Sequence, residues 1–360
     1  MKKLIGLLCT ILPLVLFVVG INLYVDPANT YRAAPVSEKI ISSFENGKNM
    51  IISENYSDRT LIKKIILETD ISSPTIVMGS SRGAQISSDM LGTPLLNTSV
   101  TAAALEDLAA IWQMCLDSGK ADELENVVIS IDPWIFNANN NEARYQTYYY
   151  NYAKQFYSSC GLDLNTKNFL RDPGIWTNCV SVAYFQASIK DLPKRAAQDP
   201  MDLFVETDLV QSMNTPVLRS DNSYVYPMNY EFAEQTAVYD RVSLALRGIV
   251  DTFEEAKHPS EQNITVFEGL VSSMQSKGIN VYFVLSPYNP YVWDAMAADR
   301  GRYSFIFEVE EYLRSYAEEN GIKTVGSYDP AACGFSYGEF MDSLHLNSAA
   351  TSAMVKDLLP

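Results

Sequence analysis

Five short apolar runs set the strongest limit on what this chain can fold into: Thr75-Ile76-Val77-Met78, Leu95-Leu96-Asn97, Asn126 to Asp132, Asn280 to Ser286, and Lys323 to Gly326. Amphipathic stretches flank and separate them, at Asp58 to Thr69, Ala102 to Leu116, Ile264 to Lys277 and Phe305 to Asn320. In the first of these, Leu61, Ile62, Ile65 and Ile66 recur at steps of three and four, as one packed face of a helix requires. Strands that are continuously apolar must be buried on both sides. Strands joined through helices run parallel, and a parallel sheet covered on both faces meets both conditions. The spacing predicts an α/β domain of three layers, α/β/α, with a mainly parallel sheet.

Between Pro133 and about Pro259 the alternation stops, and the segment is aromatic and polar, with prolines at 173, 193, 200, 216 and 227. It reads as a large insertion after strand three, at about 134–262, largely helix and loop. In open α/β sheets ligands sit beyond the carboxyl ends of the strands, so an insertion leaving a strand end can roof that crevice. The tyrosine-rich run from Tyr145 to Tyr152 either stacks on a carbohydrate polymer or packs this lid against the sheet.

Before the domain, Lys2 and Lys3 precede a largely apolar run from Leu4 to Val25. At ~1.5 Å per residue such a run spans the ~30 Å of a bilayer's hydrocarbon. The expectation is an uncleaved membrane anchor at residues 1–25. Lysines on its amino-terminal side place the bulk of the chain outside the cell membrane, as a single-pass protein. Residues 26–73 then read as a polar linker, to about Ser57, and a first helix; residues 74–360 form the domain with its lid.

Composition narrows the partners. Hydrophobic residues are 47% and charged residues 19% of the chain, which is globular, and the net charge of −16 repels phosphate backbones, so nucleic acid is not an expected partner. Beyond Cys9 in the apolar run, Cys115, Cys160, Cys179 and Cys333 allow three full pairings or none, and the sequence does not choose. There is no CxxC spacing. Neither a metal site nor a cofactor is expected.

His345 is one of two histidines in the chain, and Asp342 stands three residues before it. A carboxylate at that spacing can hold one imidazole nitrogen while the other faces a nucleophile. The nucleophile candidate is Ser81, in Gly79-Ser80-Ser81-Arg82-Gly83 directly after the first strand. A serine at a glycine-rich strand end projects over the sheet edge and receives backbone donors from the turn that follows. Asp342 and His345 follow the last strand, so in a parallel sheet both pieces come to one edge. The other histidine, His258, precedes Pro259 at the end of a charged segment and reads as a solvated residue.

A first-strand Gly-x-Ser with a carboxy-terminal Asp-x-x-His resembles the SGNH/GDSL hydrolase superfamily, over approximately residues 74–133 and 263–357. The resemblance implies a flavodoxin-like fold with Ser81, His345 and Asp342 as a catalytic triad. Gly-Ser-Ser-Arg after strand one, Asp132-Pro133 after strand three, the insertion and the anchor are similar to exported cell-envelope members, namely the DltD-like and alginate-type O-acetylation proteins. Those relatives imply an esterase or O-acyltransferase acting on acyl groups of a cell-envelope polymer. The implied partners are that polymer or an acylated carrier, and a membrane-bound O-acyltransferase.

The chain departs from the superfamily in three places. Ser80 replaces the usual Asp and is itself an alternative nucleophile. No Gly follows strand two, where Asn97 or Thr101 stands near the expected oxyanion donor. Asp132-Pro133 replaces the third block, and neither an ionised carboxylate nor a proline nitrogen donates a hydrogen bond. Arg82 and Asn97 are the substitute oxyanion or substrate-binding candidates, although an Arg opening a helix more often pairs with a neighbouring acid, and Asp132 either orients Arg82 or closes the crevice. Two other readings stay open: a non-catalytic binding or assembly protein of an envelope polysaccharide or teichoic acid pathway, and a phosphate-binding domain using the Gly79 to Gly83 turn. The second gives Asp342 and His345 no task.

Overall fold

A computed structural model of the chain describes residues 2–164, 175–246 and 256–360, with the side chains of residues 2–10, 175–176 and 245 left aside. Its strands are β1 (Asn49–Ile52), β2 (Thr75–Gly79), β3 (Leu96–Asn97), β4 (Asn126–Ser130), β5 (Phe204–Thr207), β6 (Val217–Leu218), β7 (Tyr224–Val225), β8 (Asn280–Leu285) and β9 (Lys323–Gly326). Five of them form a sheet in the order β3-β2-β4-β8-β9, and every neighbouring pair is parallel. All five expected strands and all four expected helices are present, the helices at Asp58–Glu68, Leu105–Ser118, Glu261–Ser276 and Ser304–Glu319.

The period of two along each strand explains how one sheet carries two cores. Ile76, Met78, Val127, Ile129, Phe283 and Leu285 point to one face, into the large core built with those four helices. Val77, Val128, Tyr282 and Val284 point to the other, where Ile86, Val355 and Leu358 cover them. The register aligns Val77 with Val128 and Val128 with Tyr282, so each face is a continuous apolar layer across strands. Burial on both faces is why these segments read as unbroken apolar runs.

The segment expected to be a polar connection holds more structure than its composition announced. Residues Ala33–Glu45 form a helix with Val36, Ile40, Ile41 and Phe44 buried, and β1 follows. Three short strands of the insertion join β1 in a second, antiparallel sheet ordered β5-β1-β6-β7. Sequence reading took the insertion as largely helix and loop because β6 and β7 are two residues each, below any periodicity that marks a strand. Pro173 lies outside the described residues.

Tyr145, Tyr149 and Tyr157 are buried in the main core, so the tyrosine run packs the insertion onto the sheet side of the molecule. The Tyr149 hydroxyl donates to the Arg59 carbonyl at 2.9 Å. The expected single-pass anchor at residues 1–25 is not established. The amino-terminal helix does run Lys2–Val25, but no helix of the described residues is long and apolar enough to cross a membrane. The side chains of this amino-terminal helix are described from Ile11 onward. Within it, Leu12, Leu14, Leu16 and Phe17 are exposed, whereas the last turn is docked on the Val182–Ala197 helix. There Asn22 Nδ2 donates to the carbonyls of Asn178 at 3.0 Å and Cys179 at 2.9 Å, and Ser188 donates to Asn22 Oδ1.

The four described cysteines are free thiols. Burial pushes the Cys115 thiol up to about 12 and the Cys333 thiol to about 11.

Candidate active site

Strand β2 ends at Gly79, and the chain turns at once so that Ser80 faces inward and Ser81 outward. The turn closes with Gly83 N donating to Ser80 O at 3.0 Å. Gly83 has no room for a side chain, because an added Cβ would meet Ser130 Cβ at 2.6 Å. The turn is therefore pressed against the end of β4. Ser80 is fully buried, accepts the Arg82 amide at 3.2 Å and steadies the Asp132 carboxylate. It is unavailable as the alternative nucleophile.

Ser81 Oγ lies 2.9 Å from His345 Nε2. On the far side of the ring, Nδ1 lies 3.0 Å from Asp342 Oδ1 and 2.9 Å from Oδ2. The backbone supports the acid, since the amides of Leu344 and His345 donate to Asp342 Oδ1 at 2.8 and 2.9 Å. Burial pushes the Asp342 carboxyl up, but the His345 ring and these two amides outweigh it and hold it well below the usual carboxylate range. An ionised Asp342 favours the tautomer with the proton on Nδ1. Nε2 is then a free acceptor for the Ser81 proton.

Arg82, Asn97 and Asp132 sit beneath Ser81 as a scaffold. Arg82 Nη1 donates to Asp132 Oδ1 at 2.9 Å, with both side chains at most 2% exposed. Its Nη2 donates to the Pro287 carbonyl at 2.7 Å and to that of Ser286, and the guanidinium lies 4.4 Å from the Tyr288 ring centroid. Burial pushes the Asp132 carboxyl up, against the pull of Arg82 and Ser80. Arg82 is thus tied to the protein through both terminal nitrogens, while its Nε has no partner among the described residues.

Asn97 is committed as well. Its Nδ2 donates to the carbonyls of Gly83 at 2.9 Å, Ala84 at 3.2 Å and Ile86 at 2.9 Å, and its Oδ1 accepts the Ser99 amide. The Thr101 amide goes to Asp58 Oδ2 at 2.6 Å. The Ser81 amide carries no hydrogen bond among the described residues. Ala102 holds φ at +48°, an uncommon conformation for a residue with a Cβ.

Ser81 and His345 open on a cavity of about 560 Å³. Its opposite wall comes from the second sheet and the loop after β1, with Ile52, Tyr56, Leu218, Tyr224 and Tyr226. The β6–β7 turn fastens this wall to the nucleophile turn: Tyr224 N donates to Ala84 O at 2.7 Å, and Asn222 Nδ2 to Asn97 O at 2.7 Å. Burial pushes the Tyr224 hydroxyl up to about 12, and that of Tyr226 well above its ordinary value. The cavity's aromatics are therefore neutral donors and apolar faces. Sequence reading looked for them at Tyr145 to Tyr152 instead.

Tyr230, from the insertion, was also missed: its hydroxyl donates to Asp342 Oδ2 at 2.8 Å. Nothing local distinguishes it among 22 tyrosines. His258 is exposed and pairs with Glu308 at 2.8 Å, away from the site. No group of three or more metal-ligating side chains occurs among the described residues. No family model matches the chain, and no curated protein matches it at a significant level.

Proposed function

We propose that this protein is a serine esterase or O-acyltransferase of SGNH type that acts on acyl groups of a cell-envelope polymer. The observation that carries the reading is the continuous line Ser81 Oγ, His345 Nε2, His345 Nδ1 and Asp342, opening on a cavity with aromatic walls. His345 Nε2 takes the Ser81 proton as Oγ attacks an ester carbonyl. Asp342 stabilises the imidazolium. The tetrahedral oxyanion is met by the free Ser81 amide, and collapse returns the proton to the leaving alcohol, forming an acyl-serine. Attack by water then gives hydrolysis, and attack by a sugar or polyol hydroxyl gives transfer.

With the Arg82 terminal nitrogens and the Asn97 amide committed elsewhere, the proposed oxyanion donor is the Ser81 backbone amide. A missing side-chain donor of this kind costs ~10²–10³ in turnover without abolishing it. That deficit is the ground for the second reading, a non-catalytic binding or assembly protein of the same fold.

Attachment to a membrane, with the domain on its outer side, forms part of the proposal. Support comes from the exposed Leu12, Leu14, Leu16 and Phe17 on the first helix, and from the docked last turn that would fix the domain's height above the surface. An acylated carrier and a membrane-bound O-acyltransferase are the partners such a pathway implies.

The test is phosphonylation of the full-length protein in detergent by a fluorophosphonate, with the adduct mapped by mass spectrometry. An adduct on Ser81 that is lost in Ser81→Ala and His345→Ala supports the enzyme. Folded protein that takes up no probe at Ser81 favours the binding protein.

A further inference from the structure

Two consecutive residues of the insertion grip the loop that carries His345 at both of its ends. Tyr230 donates to Asp342 Oδ2 at 2.8 Å, and the Glu231 carboxylate accepts Ser348 N at 2.7 Å together with the Ser348 hydroxyl. Behind them, Arg241 Nη1 donates to Tyr230 O at 3.2 Å and to Met341 O at 2.9 Å. Its guanidinium lies 3.8 Å from the Tyr230 ring centroid, which fixes that ring in place.

We propose that Tyr230 is a positioning residue of the relay, acting on His345 through Asp342. The two carboxylate oxygens have different duties. Oδ1 accepts the amides of Leu344 and His345, Oδ2 accepts the Tyr230 hydroxyl, and His345 Nδ1 lies within 3.0 Å of both. Without the tyrosine, Oδ2 loses its one side-chain donor besides the imidazole, and only the two amides on Oδ1 and the ring itself resist turning of the carboxylate about its Cβ–Cγ bond. The ring that faces Ser81 would turn with it. Burial and the Asp342 charge both keep the Tyr230 hydroxyl protonated, so it remains a donor throughout the neutral range.

A second contact reaches the same ring. Tyr226 stacks on Tyr230 with centroids 5.5 Å apart and an interplanar angle of 18°, and its centroid is 5.6 Å from that of His345. Tyr226 also lines the cavity. The insertion therefore both walls the cavity and orients the base, which makes the relay's geometry depend on how the insertion is seated.

The inference rests on the reading of Ser81, His345 and Asp342 as a reactive relay, and its experiment separates the two. Full-length Tyr230→Phe is treated with a fluorophosphonate, in which Ser81 Oγ forms the P–O bond, fluoride leaves and His345 Nε2 takes the proton. Labelling should slow about tenfold, the scale of one hydrogen bond to a charged group, with the half-saturating probe concentration unchanged. In proton NMR, the low-field resonance of His345 Nδ1–H should move. Tyr239→Phe, on the neighbouring helix, should change neither.

If Tyr230→Phe does not fold, Arg241→Gln loosens the tyrosine from behind and should give the same two changes at smaller size. Labelling at the wild-type rate overturns the positioning role, and so does slowed labelling with an unmoved resonance. A moved resonance in a protein whose Ser81 never reacts leaves the positioning role standing and removes the acyl chemistry.

Discussion

Ser81 and His345 stand 264 positions apart in the chain and 2.9 Å apart in the fold, because β2 and the segment after β9 leave the parallel sheet at the same edge. Each arrives on a loop held by its own network. The serine turn is tied to Asn97 and β4, and the histidine loop is tied to the insertion.

Ser81→Ala and His345→Ala should each reduce acyl-enzyme formation by at least ~10⁴, and the double variant should lose little more, since the two act as one unit. Intact-mass measurement of fluorophosphonate uptake over time checks this. Independent, multiplicative losses would mean that the pair does not work together.

Arg82 and Asp132 form a buried ion pair, at 1% and 2% exposure. Removing one partner strands a charge, so Arg82→Met should cost ~3–5 kcal/mol in urea denaturation. Arg82→Met with Asp132→Leu should recover part of that loss. A single variant as stable as wild type would show that the pair contributes no support under the nucleophile.

Asn97→Ala leaves the Gly83, Ala84 and Ile86 carbonyls without their shared donor. Gly83 O keeps the Ile86 amide and Ala84 O the Tyr224 amide, so the groups stranded are Ile86 O and the Ser99 amide; at ~1–3 kcal/mol for each, the loss should reach ~2 kcal/mol or more, read as a lowered unfolding midpoint. An oxyanion donor would behave in the opposite way, with turnover falling and stability intact.

Asp342 makes the protein sensitive to acid. Its carboxyl is depressed in the folded chain, so it contributes stability that is complete above the unfolded value of ~3.9 and is lost as pH falls from there toward the lower folded value. Asp342→Asn should remove that part of the acid dependence. The stability gap between wild type and variant should narrow steadily below about pH 4, as thermal unfolding across pH would record.

Much of the site was legible before any fold was known. Ser81 announces itself by standing at the end of an apolar strand in a glycine-rich turn, and His345 by its scarcity and the acid three residues before it. Arg82, Asn97 and Asp132 were recognised as site residues with the wrong or an undecided task. A sequence shows that an amide or guanidinium is present but not which acceptors will occupy it. Tyr230 and the cavity's Tyr56, Tyr224 and Tyr226 left no trace, for they come from separate segments with no spacing in common.

By itself the sequence determined the parallel sheet, its strands and covering helices, and the two motifs brought to its edge. Those follow from local periodicity and from the geometry of strand-helix connections, both written in contiguous residues. Only the tertiary structure decided that β1 recruits three strands of the insertion into a second sheet. It also decided that the insertion supplies a donor to Asp342, and that the nucleophile turn is braced by Asn97 and Arg82. Strands of two residues and single side-chain hydrogen bonds carry no period. Their partners are chosen by which unpaired backbone and buried polar groups the packed chain brings together.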